Sequence, residues 1–308
     1  MKPLEKDRMK TVSKAALITV FAILAITAYS AYEISAVITS YSSPGVVFNL
    51  GKTVNNVNYC GSQSLDLYIP NDTGSHDLPL VIYLHGGGLE TGKYSGISSI
   101  FLNSLASAGY AVASINYRLA PQYKFPAQII DAKCAVRFLR QNANLYGINA
   151  SSIGAFGDSS GGQLVSLLSL TASDSAFNVG QYSSQPSSIQ AAVDMFGPTN
   201  LTEITSPADP SIQQVYGNQS NVVLASPSHY VSTGGAPILI IQGMNDTNVP
   251  EAQSVEFYNQ LKAVGAQTQI ILIANSEHEF AQVGPTPINP SQAQVALDMV
   301  NFFNMYLK

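Results

Sequence analysis

The sequence predicts an α/β fold in which a mostly parallel sheet of about eight strands carries helices on both faces. Short apolar runs alternate along the chain with amphipathic helical stretches, which is typical of repeated β-α-β units. Residues 78–85, LPLVIYLH, are apolar almost without interruption and indicate a central strand covered on both faces. The chain has 308 residues, 46% of them apolar, which is enough for one core of this kind.

Turn residues mark the ends of the elements in the first half of the chain. Strands are predicted at 53–59, 64–69, 78–85 and 110–117, and helices at 97–108 and 126–146. A Pro-Asn-Asp turn at 70–72 closes the second strand, and Gly109 closes the first helix. Pro126 lies near the start of the second helix and Gly147 at its end, which are the positions that these residues favour.

The alternation continues in the second half. Strands are predicted at 152–157, 190–196, 237–242 and 268–273, and helices at 160–171, 251–264 and 291–306. Two segments rich in Ser, Asn, Gln and Pro interrupt it, residues 172–189 and 198–236. Irregular segments of such length in a compact domain are usually functional. We expect both over the top of the sheet, with 198–236 as a lid-like insertion of loops or short helices.

Charge and cysteine content exclude several classes of function. The net charge of −5 argues against a nucleic-acid partner, because phosphate binding requires a basic surface. Cys60, Cys134 and the four histidines form no metal or redox motif, so we expect no metal and no cofactor. The two cysteines can form a disulfide outside the cell. Two separate thiols are the preferred interpretation, because Cys134 lies in an amphipathic helix pattern and buried free cysteine is common.

The N-terminus is predicted to lie outside the folded domain. Residues 15–32 contain no charge and follow a basic segment, a pattern typical of a signal peptide or a membrane anchor. A buried core helix is the alternative, but it would not carry this charge asymmetry. We therefore interpret 1–32 as the signal or anchor, 33–50 as a tether and 51–308 as the catalytic domain. The basic residues precede the apolar segment, so the domain is expected outside the cytoplasm, secreted or membrane-anchored.

The strongest chemical signal is GDSSGG at 157–162, which contains G-x-S-x-G with Ser159 at its centre. It stands between a predicted strand and a predicted helix, the context of a nucleophile elbow. In such an elbow a strained turn makes the hydroxyl accessible, and Gly157 and Gly161 leave room where strand and helix approach. Ser160 cannot be the nucleophile in the same frame, because Asp158 would then occupy the first glycine position.

A glycine run, HGGG at 85–88, follows the central strand. Backbone N–H groups of such a run can stabilise a developing oxyanion, and removing one such donor costs about 3–4 kcal/mol. We predict an oxyanion hole formed by the N–H groups of Gly87, Gly88 and Ser160. An ordinary glycine turn is the alternative, but the elbow predicted later in the chain favours the oxyanion hole.

A nucleophilic serine requires a base and an acid that orients it. His278 follows the strand at 268–273, and Asp246 follows the strand at 237–242, so the order is Ser, Asp, His. All three lie at the carboxyl ends of strands, where open α/β sheets build their sites. Asp194 is the competing acid, since it also lies near a strand end.

The other histidines suit the base less well. His76 precedes the sheet core and is predicted to lie in a surface loop. His229 lies in the long insertion and follows no strand, although it could line a pocket. His85 belongs to the glycine run and is expected to stabilise that loop.

With these motifs the chain resembles the hormone-sensitive-lipase-like esterases and, more closely, the carbohydrate-esterase-like α/β-hydrolases of the feruloyl and acetyl-xylan esterase type. The resemblance covers residues 60–305. It rests on LDLYIP at 65–70, HGGG at 85–88, NYRLAP at 116–121, FPAQIIDAKCAVRFLRQNANLYGI at 125–148, GDSSGG at 157–162, DTNVP at 246–250 and the His278 loop. It implies an α/β-hydrolase fold, an HGGG oxyanion hole at Gly87 and Gly88, and Asp246 as the triad acid.

Three positions depart from the pattern of these families. Leu89 follows HGGG where an aromatic residue is frequent, and Ser160 stands where the elbow often has alanine. Gln242 precedes Gly243 where the families usually have histidine. These departures bear on substrate preference more than on the reaction.

The combined prediction is a serine hydrolase that cleaves carboxylic esters through a Ser-His-Asp acyl-enzyme mechanism. The substrate would be a small-molecule or polysaccharide ester with a short-chain, acetyl or feruloyl group. A peptidase or amidase using the same triad is the alternative, although no β-propeller precedes the domain. A binding protein that keeps the fold without catalysis is a second alternative.

The composition also predicts a fold that tolerates acid. Residues 33–308 contain nine Lys or Arg, so few ion pairs exist to be lost when carboxylates are protonated. Even with four histidines charged, self-repulsion at low pH stays mild. Turnover should nevertheless fall in acid, because His278 must be neutral to accept the Ser159 proton.

Overall fold

Eight strands form one sheet in the computed structural model, which describes residues 50–71, 77–204, 210 and 212–308. The strands are β1 Leu50–Asn58, β2 Ser64–Pro70, β3 Leu78–Leu84, β4 Ala111–Ile115, β5 Ile148–Asp158, β6 Ala191–Met195, β7 Ile238–Gly243 and β8 Thr268–Ile273. Their spatial order is β1-β2-β4-β3-β5-β6-β7-β8. The β1–β2 and β2–β4 pairs are antiparallel, and the other pairs are parallel. The predicted sheet of about eight strands is confirmed.

Helices cover both faces of this sheet. They are α1 Ser99–Ser107, α2 Ala127–Gln141, α3 Ala143–Tyr146, α4 Ser160–Leu170, α5 Leu201–Ile204, α6 Gln219–Leu224, α7 Glu251–Ala263 and α8 Gln292–Leu307. Because side chains alternate along a strand, Leu80 and Ile82 of β3 join the core beneath α2, α4 and α7, whereas Val81 joins the core beneath α1 and α8. Central strands buried on both faces explain why 78–85 is continuously apolar.

The helix predicted over 126–146 is two helices, broken at Asn142. Both the backbone N–H and the Nδ2 group of Asn142 donate to the carbonyl of Phe138, at 3.0 and 2.8 Å. An asparagine side chain that competes for a helical carbonyl favours a helix end at that point. Gly147, in the left-handed region at φ 67°, then ends α3 as predicted.

The 198–236 insertion consists of short helices in the part that the structure describes. Besides α5 and α6 it contains a π-helical turn at Ile212–Tyr216 and a 3-10 turn at Pro227–Tyr230. It packs on the domain through hydrogen bonds from Gln163 Nε2 to the Ala225 carbonyl and from the Phe125 N–H to the Val215 carbonyl, both 2.8 Å. Its action as a lid stays a prediction.

Residues 172–189 do not lie over the top of the sheet. They connect the carboxyl end of α4 to the start of β6, and both points lie at the amino edge, because a crossover helix runs antiparallel to its strands. Hydrogen bonds from α2 hold the segment against that helix. The expectation for this segment was therefore wrong, whereas 198–236 does follow the carboxyl end of β6.

The preferred interpretation of two free thiols was also wrong. Cys60 and Cys134 form a disulfide with their Cα atoms 6.3 Å apart, although 74 positions separate them in sequence. Cys60 lies in the turn between β1 and β2, and Cys134 lies on α2, where Phe138 of the same helix also meets Tyr59 beside that turn. The helix pattern correctly indicated that Cys134 is buried, but not that a partner lies beneath it.

The predicted N-terminal segments, 1–32 and most of the tether 33–50, lie outside the described residues, as does His76. Among the residues that the structure does describe, no helix has both the length and the apolar character needed to cross a bilayer.

Candidate active site

Ser159 lies in a strained turn between β5 and α4. Its backbone angles are φ 52° and ψ −123°, in a region that residues with a side chain seldom adopt. The Ser159 N–H donates to the Met195 carbonyl at 2.8 Å, which holds the turn. A Cβ atom on Gly157 would meet the backbone of Gly161 at 2.5 Å, and one on Gly161 would collide with the Leu84 carbonyl. The strand and helix therefore approach as a nucleophile elbow requires.

His278 lies between Ser159 and Asp246. Its Nε2 is 3.0 Å from Ser159 Oγ, and its Nδ1 is 2.7 Å from Asp246 Oδ2. These contacts join loops that follow β5, β7 and β8, all at the carboxyl edge of the sheet. The rings of Phe196 and Phe280 meet edge to face, and Phe196 also packs against the imidazole with centroids 4.8 Å apart. The structure thus brings together all three residues named from sequence.

Asp246 is surrounded by hydrogen-bond donors. Besides His278, its carboxylate accepts from the N–H groups of Asn248 and Val249, each at 2.9 Å, and from Gln242 Nε2 at 3.1 Å. Burial by itself would raise the pKa of Asp246, but the hydrogen bonds from His278, Val249 and Gln242 hold the pKa below its usual value. The carboxylate is therefore ionised when His278 needs a negative partner.

Gln242, which stands where related families have histidine, supports this acid. Its Nε2 donates to Asp246 Oδ2 and to the carbonyls of Gly243 and Val249, while its Oε1 accepts from Ser254 Oγ at 2.9 Å. The sequence comparison flagged Gln242 only as a departure. Its position near the end of β7, four residues before the acid, was the signal that could have identified its role.

A second carboxylate, Glu277, links the acid loop to the histidine loop. Glu277 Oε1 accepts from both the N–H and the Oγ1 of Thr247, each at 2.6 Å. These hydrogen bonds lower the pKa of Glu277. Because Thr247 follows Asp246 and Glu277 precedes His278, the link spans the two loops that carry the acid and the base. No motif in the sequence marks this link.

Asp194, the competing acid, does not contact His278. Its carboxylate is fully buried and accepts from Ser166 Oγ at 2.6 Å and from the Gly197 N–H at 2.8 Å. Burial raises its pKa to about 6, although these two hydrogen bonds act in the opposite direction. Asp194 therefore supports the backbone behind the elbow rather than the imidazole.

The glycine run after β3 is open to a substrate. Gly87 and Gly88 both have positive φ, 112° and 65°, and both are exposed. Within the described residues neither N–H donates a hydrogen bond. Ser160 is the first residue of α4, and an N–H in the first turn of a helix has no intrahelical partner. The three predicted donors are thus unoccupied, and Leu89 N–H to Ser160 Oγ, at 3.2 Å, ties the loop to the elbow.

Aromatic and acidic side chains fix the conformation of this loop. His85 stacks on Tyr117 with centroids 4.2 Å apart, and the Tyr117 hydroxyl donates to the His85 carbonyl at 2.5 Å. Burial lowers the pKa of His85, so its ring is neutral and suits a structural role. Asp158 accepts from the Gly86 N–H at 3.1 Å and from the Tyr83 hydroxyl at 2.6 Å.

The remaining predicted groups lie elsewhere or form no site. His229 is in the Pro227–Tyr230 turn, where its ring meets Tyr230, and it makes no contact with Ser159. Across the described ranges, His, Cys, Asp and Glu side chains form no group of three or more that could hold a metal ion. Asp158 and Glu279, chain neighbours of Ser159 and His278, line a cavity of about 240 Å³ that Phe196 and Phe280 also border.

Comparison with known proteins finds esterases among the proteins to which this chain is similar. The family model described as BD-FAE matches residues 65–261, more than half of the chain. The chain is similar to Esterase LipC of Mycobacterium tuberculosis, at 27% identity over 264 residues, 78% of this chain and 66% of LipC. It is also similar to the probable carboxylic ester hydrolase LipM of the same organism, at 29% identity, covering 67% of this chain and 50% of LipM. The chain thus spans between half and two thirds of the length of these curated relatives.

A solved structure extends the similarity to three dimensions. It is the truncated form of a carbohydrate esterase from gut microbiota, with a TM-score of 0.73 and 28% identity, covering 84% of this chain and 97% of that one. These matches confirm the resemblance to α/β-hydrolase esterases that the motifs indicated, and they support ester hydrolysis as the reaction.

Proposed function

The chain belongs to the BD-FAE family, and from that membership we propose that it is a carboxylesterase-type serine hydrolase acting through an acyl-enzyme. One observation carries the proposal, namely that a single imidazole joins Ser159 and Asp246 through its two nitrogens, at 3.0 and 2.7 Å. This arrangement allows the ring to take a proton from the serine while the carboxylate holds the other nitrogen protonated.

The proposed reaction has two halves. Ser159 Oγ attacks the ester carbonyl carbon as His278 Nε2 takes the hydroxyl proton, and the N–H groups of Gly87, Gly88 and Ser160 stabilise the oxyanion. Collapse of the intermediate breaks the C–O bond, and His278 gives its proton to the departing alcohol. Water then attacks the acyl group with His278 again as base, which releases the carboxylic acid and regenerates Ser159.

For the substrate we propose a short acyl ester, acetyl above all, with a feruloyl ester as the other candidate. The carbohydrate esterase among the structural relatives supports an ester on a sugar or polysaccharide.

The test compares turnover of p-nitrophenyl acetate by the full chain and by Ser159→Ala. We expect the variant to lose at least about a thousandfold in rate while its circular dichroism is unchanged. Ser160→Ala is the matched control, because it alters the adjacent serine but keeps the backbone N–H, and it should stay within about tenfold of wild type. A Ser159→Ala rate above about a tenth of wild type would refute the nucleophile assignment.

A substrate panel separates the remaining alternatives. Acetyl, butyryl and octanoyl p-nitrophenyl esters define the acyl length, while acetyl-xylan and methyl ferulate test the two polysaccharide-type groups. A peptide p-nitroanilide tests the amidase alternative on the same triad. Faster cleavage of the anilide than of every ester would overturn the ester preference.

We also propose that the catalytic domain lies outside the cytoplasm, secreted or membrane-anchored. The uncharged 15–32 stretch with its basic flank and the Cys60–Cys134 disulfide both support this location, since disulfides persist in oxidising compartments. Alkylation of intact cells followed by mass spectrometry tests it. The two cysteines should be resistant to a thiol reagent until a reductant is added, whereas labelling of both without reductant would contradict the proposal.

A further inference from the structure

Three basic residues are buried on one face of α2. Lys133, Arg137 and Arg140 are spaced by four and three positions, so they lie along the same side of the helix. They are 0%, 1% and 9% exposed. No ion pair to any of them forms within the described residues. Three cations are thus removed from water without a carboxylate bonded to them, an arrangement that ordinarily requires compensation.

Hydrogen bonds to the segment after α4 supply part of that compensation. Lys133 Nζ donates to the Thr171 carbonyl, to Asn178 Oδ1 at 3.3 Å and to Ser187 Oγ at 3.4 Å. The Arg140 guanidinium donates to three carbonyls, those of Ala150, Pro186 and Ser188. Arg137 donates only twice, from Nε to the Gln181 carbonyl at 3.0 Å and from Nη2 to the Val179 carbonyl at 2.7 Å.

Arg137 therefore has one donor nitrogen that these two hydrogen bonds do not use. Its Nη1 is buried and has no acceptor within the described residues. Arg137 also forms part of the wall of a cavity of about 360 Å³. A buried guanidinium with an unused donor is costly unless an acceptor reaches it, because the donor has lost its water.

The rest of that cavity suits an anion. Its wall includes Asn178, Ser183, Ser184, Gln185 and Ser187, and no carboxylate lines it. Ser183 and Ser184 are exposed, and their hydroxyls make no hydrogen bond within the described residues. Lys133 Nζ donates hydrogen bonds to two residues of the wall, Asn178 and Ser187. The wall of the cavity thus combines one arginine with free serine hydroxyls.

We propose that this cavity binds an oxyanion, a carboxylate, sulfate or phosphate group of a small molecule or sugar, held by Arg137 and the Ser183–Ser184 hydroxyls. Planar guanidinium and hydroxyl donors match the geometry of such groups. The volume lies in the range of small-ligand pockets, about 300–1,000 Å³, and exceeds the space that a bare ion needs. The site lies on the segment that leads to the amino edge of the sheet, and it does not depend on the proposed hydrolysis.

The test is isothermal titration calorimetry of the full chain with sodium sulfate, sodium phosphate and sodium glucuronate, each at constant ionic strength. We expect one saturable site for at least one of the three anions. Preference for glucuronate would assign the site to an acidic sugar, and preference for phosphate or sulfate to a ligand carrying that group.

Two variants test whether the anion binds in this cavity, and a third serves as the control. Arg137→Gln should weaken the preferred anion by about tenfold or more, as expected for a lost charged hydrogen bond. Because Arg137 also anchors a loop, the pair Ser183→Ala with Ser184→Ala provides a change at the rim that leaves the anchoring bonds intact, and it should weaken binding as well. The pair Ser173→Ala with Ser175→Ala, on the same segment but outside the cavity, is the control and should bind as wild type. Absence of saturable binding, or undiminished binding by the Ser183 and Ser184 pair, would overturn the proposal.

Discussion

Two buried carboxylates at the same edge of the sheet have opposite environments. Asp246 lies after β7, where hydrogen bonds from His278, Val249 and Gln242 hold its pKa below the usual value. Asp194 lies at the end of β6, where burial outweighs two donors and raises its pKa to about 6. Both were candidates for the acid from their positions after strands. The comparison shows that burial, the surrounding donors and a neighbouring imidazole together set the pKa of a carboxyl.

The hydrogen bonds of His278 also distinguish the two carboxyls. His278 Nδ1 reaches Asp246 and no hydrogen bond joins it to Asp194, whose two oxygens are turned toward Ser166 and Gly197. A Cβ atom on Gly162 or Gly197 would collide with Asp194 Oδ1, so the protein packs its backbone closely around that carboxyl. Asp194 is a packing element of the elbow, and Asp246 is the partner of the base.

Neutralising each carboxyl in turn tests which of the two is the partner of the base. Asp246→Asn should reduce kcat/KM for p-nitrophenyl acetate by about 10³ to 10⁴, because the amide stabilises the wrong tautomer of His278. Asp194→Asn should remain within about threefold of wild type. A reversal of these two rates would transfer the acid role to Asp194.

We expect Asp194 to affect the free energy of unfolding rather than the rate of turnover. Its folded-state pKa of about 6 lies above the unfolded value of 3.8, so its contribution is complete below pH 3.8 and is lost as the pH rises through about 6. A shift of this size corresponds to a loss of about 3 kcal/mol. Urea unfolding of wild type between pH 4 and 7 should show this decline.

Asp194→Asn supplies the control for that measurement. An asparagine can accept from the Gly197 N–H and donate to Ser166 Oγ, so the hydrogen bonds survive without a charge. As the pH rises from 4 to 7, the free energy of unfolding should therefore fall less in the variant than in wild type. A difference that is constant from pH 4 to 7 would contradict the raised pKa.

The link between the two loops predicts a smaller effect on rate. Glu277→Ala removes the acceptor for both Thr247 donors, which should loosen Asp246 relative to His278 and lower kcat by about tenfold to a hundredfold. Glu256→Ala, an exposed carboxylate on α7, is the matched control and should not change kcat. A fall in kcat equal for both variants would show that loss of surface charge, not of the link, is responsible.

The smallest expected change is that of the fold in acid. Within the described residues only two ion pairs exist, Arg118–Asp131 and His278–Asp246, and Asp194 is already stabilised by protonation. We expect the far-ultraviolet circular dichroism to persist to pH 3 while turnover disappears at a higher pH, because the mechanism needs a neutral base to accept the Ser159 proton. Structure lost at or above the pH at which activity fails would contradict this expectation.

Much of the fold followed from local pattern. Apolar runs and turn residues located all eight strands, because a central strand is recognisable from its own residues. The errors fell where long-range contacts decide. The disulfide joins residues 74 positions apart, and the segment 172–189 follows α2 because Arg137 and Arg140 bond its carbonyls.

The residues of the candidate site likewise divide into those that a local motif identifies and those that long-range contacts identify. The sequence alone indicates that Ser159 stands in an elbow, that three glycines follow β3, and that a histidine and two acids lie at or near strand ends, because each of these is a local motif at a strand end. The packing of separate loops decides that Asp246 is the acid that meets His278 and that Gln242 bonds this acid. It also decides that Glu277 bonds the neighbouring Thr247 and that Phe196 packs against the imidazole. These outcomes depend on distances between separate loops, and such distances are set by how the strands are ordered and packed.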